Sequence, residues 1–321
     1  MAQIDLYMND ISFFDLNEFL LKIKVLNEFM DKSESLNQVE VEFLTNNFKH
    51  LIGIVPTRVH PIDSFTQPFE RLVINPFNTR LKSVSQLRYP PKEIAHKIDY
   101  NRASLKGKCV MYAGTMGMLP ITVEVKPKEG QLITRSKWQF NGKRKLKTIV
   151  ICQDKELAIL NFEVLYNDYK EYVKCLSAMQ PNNRAVVEAV NAFIIKAFTR
   201  SVNPENRQGY IMSALISEYF YTLAEDPVDA IYYPSVANKG SSMNIAIKPE
   251  VVDELFDLIE VNEDIVTIDP SNLSGGWFVF NTGTCNNFNN ESLKLNWTNM
   301  PIPEDSGIHE LIEKYNINLK K

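Results

Sequence analysis

The sequence predicts an α+β protein: a mixed β core with flanking helices, behind an N-terminal helical segment. Three observations carry this. Apolar residues recur at helical spacing near the start, short β-branched runs between turn signals fill about 61 to 152, and a mostly helical stretch from about 154 to 224 precedes two more strand-like runs. With 321 residues, 45% of them hydrophobic, and no low-complexity tract, the chain can bury a substantial core.

Asp15 and Glu18 stand at capping-box spacing, and Phe19, Leu20, Ile23, Leu26, Phe29 and Met30 then form one apolar helix face. A second helix begins near Ser35, with Val39, Phe43, Leu44 and Phe48 on one side. It ends in "GIVPTRVHPIDSFTQP", whose prolines break regular structure and set a boundary near residue 60. The runs "RLVIN", "CVMYAG", "ITVEV", "QLITRSKW" and "KTIVIC" are strand candidates. Between them, Pro90, Pro91 and Gly107 make "RYPPKEIAHKIDYNRASLKGK" an ordered loop, of a length that is uncommon without a function. Helices are expected over 157–179, 184–199 and 210–223, then strands in "AIYYPSV" and "MNIAIKP". Pro249 opens a last helix carrying Val251, Val252, Leu255 and Leu258. From Thr267 the tail is rich in Asn, Gly and Trp and shows no period. The expected parts are a helical segment 1–60, a core domain 61–262 and an extension 263–321.

Lys and Arg total 35 against 39 Asp and Glu, a net charge of -4, so no broad basic field exists to follow a phosphate backbone and nucleic acid is an unlikely partner. Cys109, Cys152, Cys175 and Cys285 lie far apart without a CxxC pair, which argues against a zinc ribbon or a disulfide scaffold. The acidic start "MAQIDLYMNDISFFDL" lacks the basic region of a signal peptide, and no run is long enough to span a bilayer; the expectation is a cytoplasmic protein without a membrane partner. The glycosylation triplets at Asn272, Asn290 and Asn296 would matter only in a secreted chain. His50, His60, His96 and His309 show no metal-ligand spacing, so no metal is expected. Neither a P-loop nor a G-x-G-x-x-G loop occurs, so any dinucleotide must be held by another scaffold.

Ser235, in "DAIYYPSVANKGSSMNIAI", has Tyr233 and Ala237 where a hydrolase elbow needs glycines, so it is a poor nucleophile. It belongs instead to an ordered set: Arg71 in "FERLVIN", Arg102, Gly107 and Tyr112 in "NRASLKGKCVMYAG", Glu124 in "ITVEVKP", and Ser235 with Asn244 in "YPSVANKGSSMNIAIKP". This order resembles the RES family, named for an Arg, a Glu and a Ser, over roughly residues 65 to 260. The preceding "GYIMSALISEYFY" looks like the family's helix ahead of the strand that leads to Ser235, and the double proline suits its longer subfamily. Asn101 replaces a Gly that the family usually has before Arg102, and Arg80 in "TRLKS" is the alternative first arginine. The family often runs a helix up to its Glu; Pro120 and β-branched neighbours oppose one here, so Glu124 is expected on a strand. The plain alternatives are a solvated Arg71 and Arg102, a half-buried Tyr112, an exposed strand Glu124, and a turn-capping Ser235 and Asn244.

The resemblance implies an ADP-ribosyltransferase-like core and cleavage of the nicotinamide–ribose bond of NAD, which is substrate and not cofactor. It implies phosphorolysis with inorganic phosphate or hydrolysis by water, with transfer of ADP-ribose to a protein, or a decayed binding module, as alternatives. It also implies a toxin paired with an antitoxin protein. Glu124, Arg71 and Ser235 would be its catalytic set, and Arg102, Tyr112 and Asn244 its NAD-binding set. The residue types suit this: the arginine fork matches phosphate oxygens, and a carboxylate stabilises positive charge developing on ribose.

Overall fold

The computed structural model describes residues 16–52, 59–62, 65, 67–115, 118–151, 163–224, 226–237, 242–268, 278–286, 288 and 293–320. Asp15, Cys152, Asn272, Asn290, the expected helical start at 157–162 and the turn at 238–241 lie outside them. In chain order the elements are α1 (Leu16–Asp31), α2 (Gln38–Ile52), β1 (Val59–Ile62), β2 (Phe69–Ile74), β3 (Met111–Gly114), α3 (Met118–Val125), β4 (Leu132–Phe140), β5 (Leu146–Val150), α4 (Glu163–Ala178), α5 (Pro181–Thr199) and α6 (Ile211–Glu218). There follow β6 (Ala230–Pro234), β7 (Met243–Ile247), α7 (Pro249–Leu255), β8 (Phe256–Ile268), β9 (Phe278–Cys285), β10 (Thr298–Asn299) and α8 (Ile308–Lys314). The protein is mixed α+β, with an N-terminal helix.

The chain divides into two compact units: Met1–His60 with His96–Lys108 and Lys147–Val236, and Pro61–Ala95 with Cys109–Leu146 and Ala237–Lys321. In the first unit, α1 buries Phe19, Ile23, Leu26 and Met30, and α5 buries Phe193, Ile194 and Phe198. Asn37 starts α2 by a reciprocal cap: its Oδ1 accepts the Glu40 amide at 3.0 Å, and its own amide donates to Glu40 Oε2 at 3.0 Å. The apolar stripe of α2 is Leu44, Phe48 and Ile52; Val39 and Phe43, expected on it, are exposed, and Phe43 instead meets the Phe29 ring at 6.1 Å. The turn between these helices is tied to "NPENRQG": Gln208 donates to the Ser33 and Leu36 carbonyls, and Asn206 to that of Glu34. β5 and β6 pair in parallel, Ile149 beside Ile231. The π turn Tyr219–Leu223 extends α6.

In the second unit β7, β3, β2, β4, β8, β9 and β10 lie side by side in that order, each antiparallel to its neighbours. Two expectations fail here. "ITVEV" is not a strand but the last turns of α3. Pro120 is its third residue, where the amide has no partner within the helix anyway, so proline costs little. The β-branched residues lose a few tenths of a kcal/mol each in propensity, whereas Ile121 gains a buried place against Leu72, Ile133 and Val266; burial wins.

The other failure is the tail. The helix at Pro249 stops at Leu255, and Leu258 lies in β8, whose 13 residues run through the expected boundary at 262. Glu263 and Asp264 are fully buried in that strand, which hides its apolar alternation. Both are held by arginines: Arg80 donates Nε and Nη2 to Glu263 Oε1 at 2.9 and 2.6 Å, and Arg135 donates Nε to Asp264 Oδ2 at 2.5 Å. The last helix, α8, packs its neighbourhood through Ile308 and Ile317 onto Leu132 and Ile265.

Candidate functional site

β3 positions the site. Gly114 pairs with Glu70 of β2 on one side and Asn244 of β7 on the other, and Tyr112 pairs with Ala246. Side chains directly opposite share a face, and alternate residues along a strand do too. Glu70, Tyr112 and Asn244 therefore leave the sheet on the same side. α3 lies close above Gly114: a Cβ built there would stand in van der Waals contact with Ile121 at 3.4 Å and 3.9 Å from Asn244 Oδ1.

The approach of α3 delivers Glu124, whose Oε1 accepts a hydrogen bond from Asn244 Nδ2 at 2.7 Å. Glu124 and Asn244, two members of the expected set, are thus directly bonded. The amide fixes one carboxylate oxygen and with it the orientation of the other.

Arg71 alternates to the opposite face from Glu70. Its Nη1 donates to the Tyr112 carbonyl at 2.8 Å, in a stretch where β2 and β3 pair only at Glu70 and Gly114. Its Nε is buried without a hydrogen-bond partner. Burial pushes the guanidinium pKa down to about 10, against the field of Tyr112. A buried guanidinium with an unused donor is suited to an anion. The alternative first arginine, Arg80, is instead buried against Glu263 and Asn299, with Trp297 beneath it at 5.2 Å.

In the first unit, Arg102 donates Nη1 to the Phe198 and Arg200 carbonyls at 2.7 and 3.2 Å, and its plane lies 4.9 Å from the Tyr210 ring. It closes the C-terminus of α5, where a cation also meets the negative end of the helix dipole. Ser235 follows the last residue of β6 and is fully buried, unlike an exposed elbow nucleophile.

A charged row escaped the sequence reading. Arg135 and Lys137 on β4 share the face of Glu70, with Glu260 and Asp264 on β8 beside them. Lys137 donates to Glu260 at 2.9 Å. Burial raises the pKa of Glu70, with Lys137 and Arg135 only partly offsetting it. Burial also disfavours the charge of Arg135, but its hydrogen bonds to Asp264 and the nearby carboxylates outweigh that and hold its pKa up. The available signal was period two in "TRSKWQF", which puts Arg135 and Lys137 on one side.

Among the described residues no group of three or more His, Cys, Asp and Glu is placed to hold a metal ion, and no helix is long and apolar enough to cross a membrane. Compared with family models, curated proteins and solved structures, the chain matches none.

Proposed function

We propose that this chain is a RES-like enzyme on an ADP-ribosyltransferase-like scaffold, and that it cleaves the nicotinamide–ribose bond of NAD by phosphorolysis or hydrolysis. The observation that carries the reading is the Glu124 carboxylate, held by the Asn244 amide at 2.7 Å on the sheet face that bears Tyr112. Cleavage sends the bonding pair to the nicotinamide ring, which leaves neutral, and positive charge grows on the ribose. A carboxylate that is oriented beforehand stabilises that charge without reorganising during the step. No acid is needed for the leaving group, so one carboxylate suffices. An oxygen of water or phosphate then bonds to the ribose carbon, and water gives up its proton.

In this reading Tyr112 offers an aromatic face to the ribose or nicotinamide from the side of the sheet that bears Asn244; Arg71 leaves β2 on the other side, and Arg102 and Ser235 belong to the first unit, so the mechanism draws on none of these three. An antitoxin protein as partner remains part of the same proposal. The test is incubation of the purified chain with NAD, with and without inorganic phosphate, followed by identification of both products. Nicotinamide with ADP-ribose, or with its phosphorylated counterpart, supports the proposal. Label from NAD retained on protein in a cell extract would reassign it to ADP-ribosyl transfer, and no turnover under any of these conditions would reject it.

A further inference from the structure

We infer that a cleft in the second unit, beside the turn Asn75 to Asn78, binds an uncharged heteroaromatic ring of the purine class. Its volume is about 490 Å³, and its walls include Asn75, Phe77, Asn78, Gln131, Tyr315 and Asn316. That size falls within the range of small-molecule sites, roughly 300–1,000 Å³. Asn78 locks the walls together: its Nδ2 donates to the Gly130 and Tyr315 carbonyls, and its Oδ1 accepts the Leu132 amide.

The remaining amides keep unused capacity. Gln131 accepts the Lys128 amide at Oε1, and its Nε2 is free among the described residues. Asn316 makes no side-chain hydrogen bond among them. Asn75 accepts the Thr134 hydroxyl at Oδ1, while its buried Nδ2 has no partner.

Phe77 adds a second, independent observation. It sits in the left-handed region at φ 54, which a bulky side chain resists, yet it is 96% exposed and gains no burial in return. A ring laid on it would supply the missing contact. Among the described residues no Asp, Glu, Lys or Arg lines the cleft, so they offer a charged group no counter-charge there. Aromatic faces with amide donors and acceptors match a planar base that offers both on its edge.

The inference is independent of the proposed NAD reaction, since Glu124 is not part of the cleft. The test is calorimetric titration of the full chain with adenosine and guanosine, with ribose and benzyl alcohol as controls. Saturable binding of a purine nucleoside is expected, with the controls silent. Phe77→Ala and Gln131→Ala should each weaken it, the former by at least about fivefold through lost stacking. Because Phe77→Ala perturbs a strained turn, Phe77→Asn is the second variant. Asparagine tolerates this backbone, so the variant should melt at or above the wild-type temperature and still lose binding. Glu124→Gln should bind the nucleoside normally. No saturable binding up to about 10 mM, a benzyl alcohol response equal to the purine's, or normal binding by Phe77→Asn would each overturn the inference.

Discussion

Replacing Arg80 by Met tests the buried ion pair that anchors β8. Arg80 and Glu263 are 1% and 0% exposed, and Glu263 Oε1 takes two of the arginine's donors together with the Thr282 hydroxyl. Methionine preserves much of the arginine's stem volume but leaves a carboxylate deep in the sheet without its cation. Breaking such a pair from one side costs about 3–5 kcal/mol, far more than the 0–1 kcal/mol of an exposed pair. Asn299 and Trp297 lose their contacts as well, which pushes the result toward the upper end. The double variant Arg80→Met with Glu263→Leu removes both charges and should recover most of the loss, because the desolvation of two ions disappears with their attraction. Urea unfolding followed by tryptophan fluorescence measures the loss, and hydrogen exchange at β8 and β9 amides localises it. A single-variant loss below about 1 kcal/mol, or a double variant no more stable than the single one, would refute the argument.

Other outcomes follow from the same geometry. Glu124→Gln should lower nicotinamide release by roughly 100-fold or more while leaving NAD affinity nearly unchanged; steady-state kinetics with a separate binding titration check this, and near-normal release would falsify the assignment. Burial raises the folded pKa of Glu70 above the usual 4.5, so the native state keeps a proton that the unfolded chain has already lost, and stability falls as pH rises through that window. Glu70→Gln should therefore be more stable than wild type at pH 7 and lose that advantage below the usual glutamate pKa; an unfolding series against pH reads the sign. Gly130 lies at φ +75 with the Tyr315 ring 2.1 Å from where a Cβ would stand. Gly130→Ala should cost at least about 1–2 kcal/mol from backbone conformation alone, and displacement of Tyr315 should appear as faster exchange at the start of β4.

The strands at β2 to β7 were legible because they are short, β-branched and bounded by turn residues, so one local signal sufficed. α3 was not, since its residues prefer a strand and only the apolar pocket formed by Leu72, Ile133 and Val266 makes the helix worthwhile. β8 was hidden for the opposite reason: Glu263 and Asp264 look like surface residues until Arg80 and Arg135, more than a hundred positions earlier, are placed against them. At the candidate site, residue identities were readable in the sequence and their pairing was not. Nothing local links Asn244 to Glu124, because their contact depends on the register of β3 with β7 and on where α3 packs. Arg102 shows the limit of residue type as a guide, since a guanidinium suited to phosphate is also suited to the carbonyls that end a helix.

The passage of β8 through residue 262 bears on the order of events during synthesis. β4 occupies the middle of its sheet, yet its outer neighbour is made about 120 residues later, and the counter-charges of Arg80 and Arg135 emerge only with it. A chain still attached to the ribosome at residue 262 carries Glu124 and Asn244 but lacks the Glu263 and Asp264 that hold Arg80 and Arg135, and has an open edge along β4. The second unit can then close only once β8 has emerged, so a chain that stops short of Glu263 keeps an open strand edge and never matures.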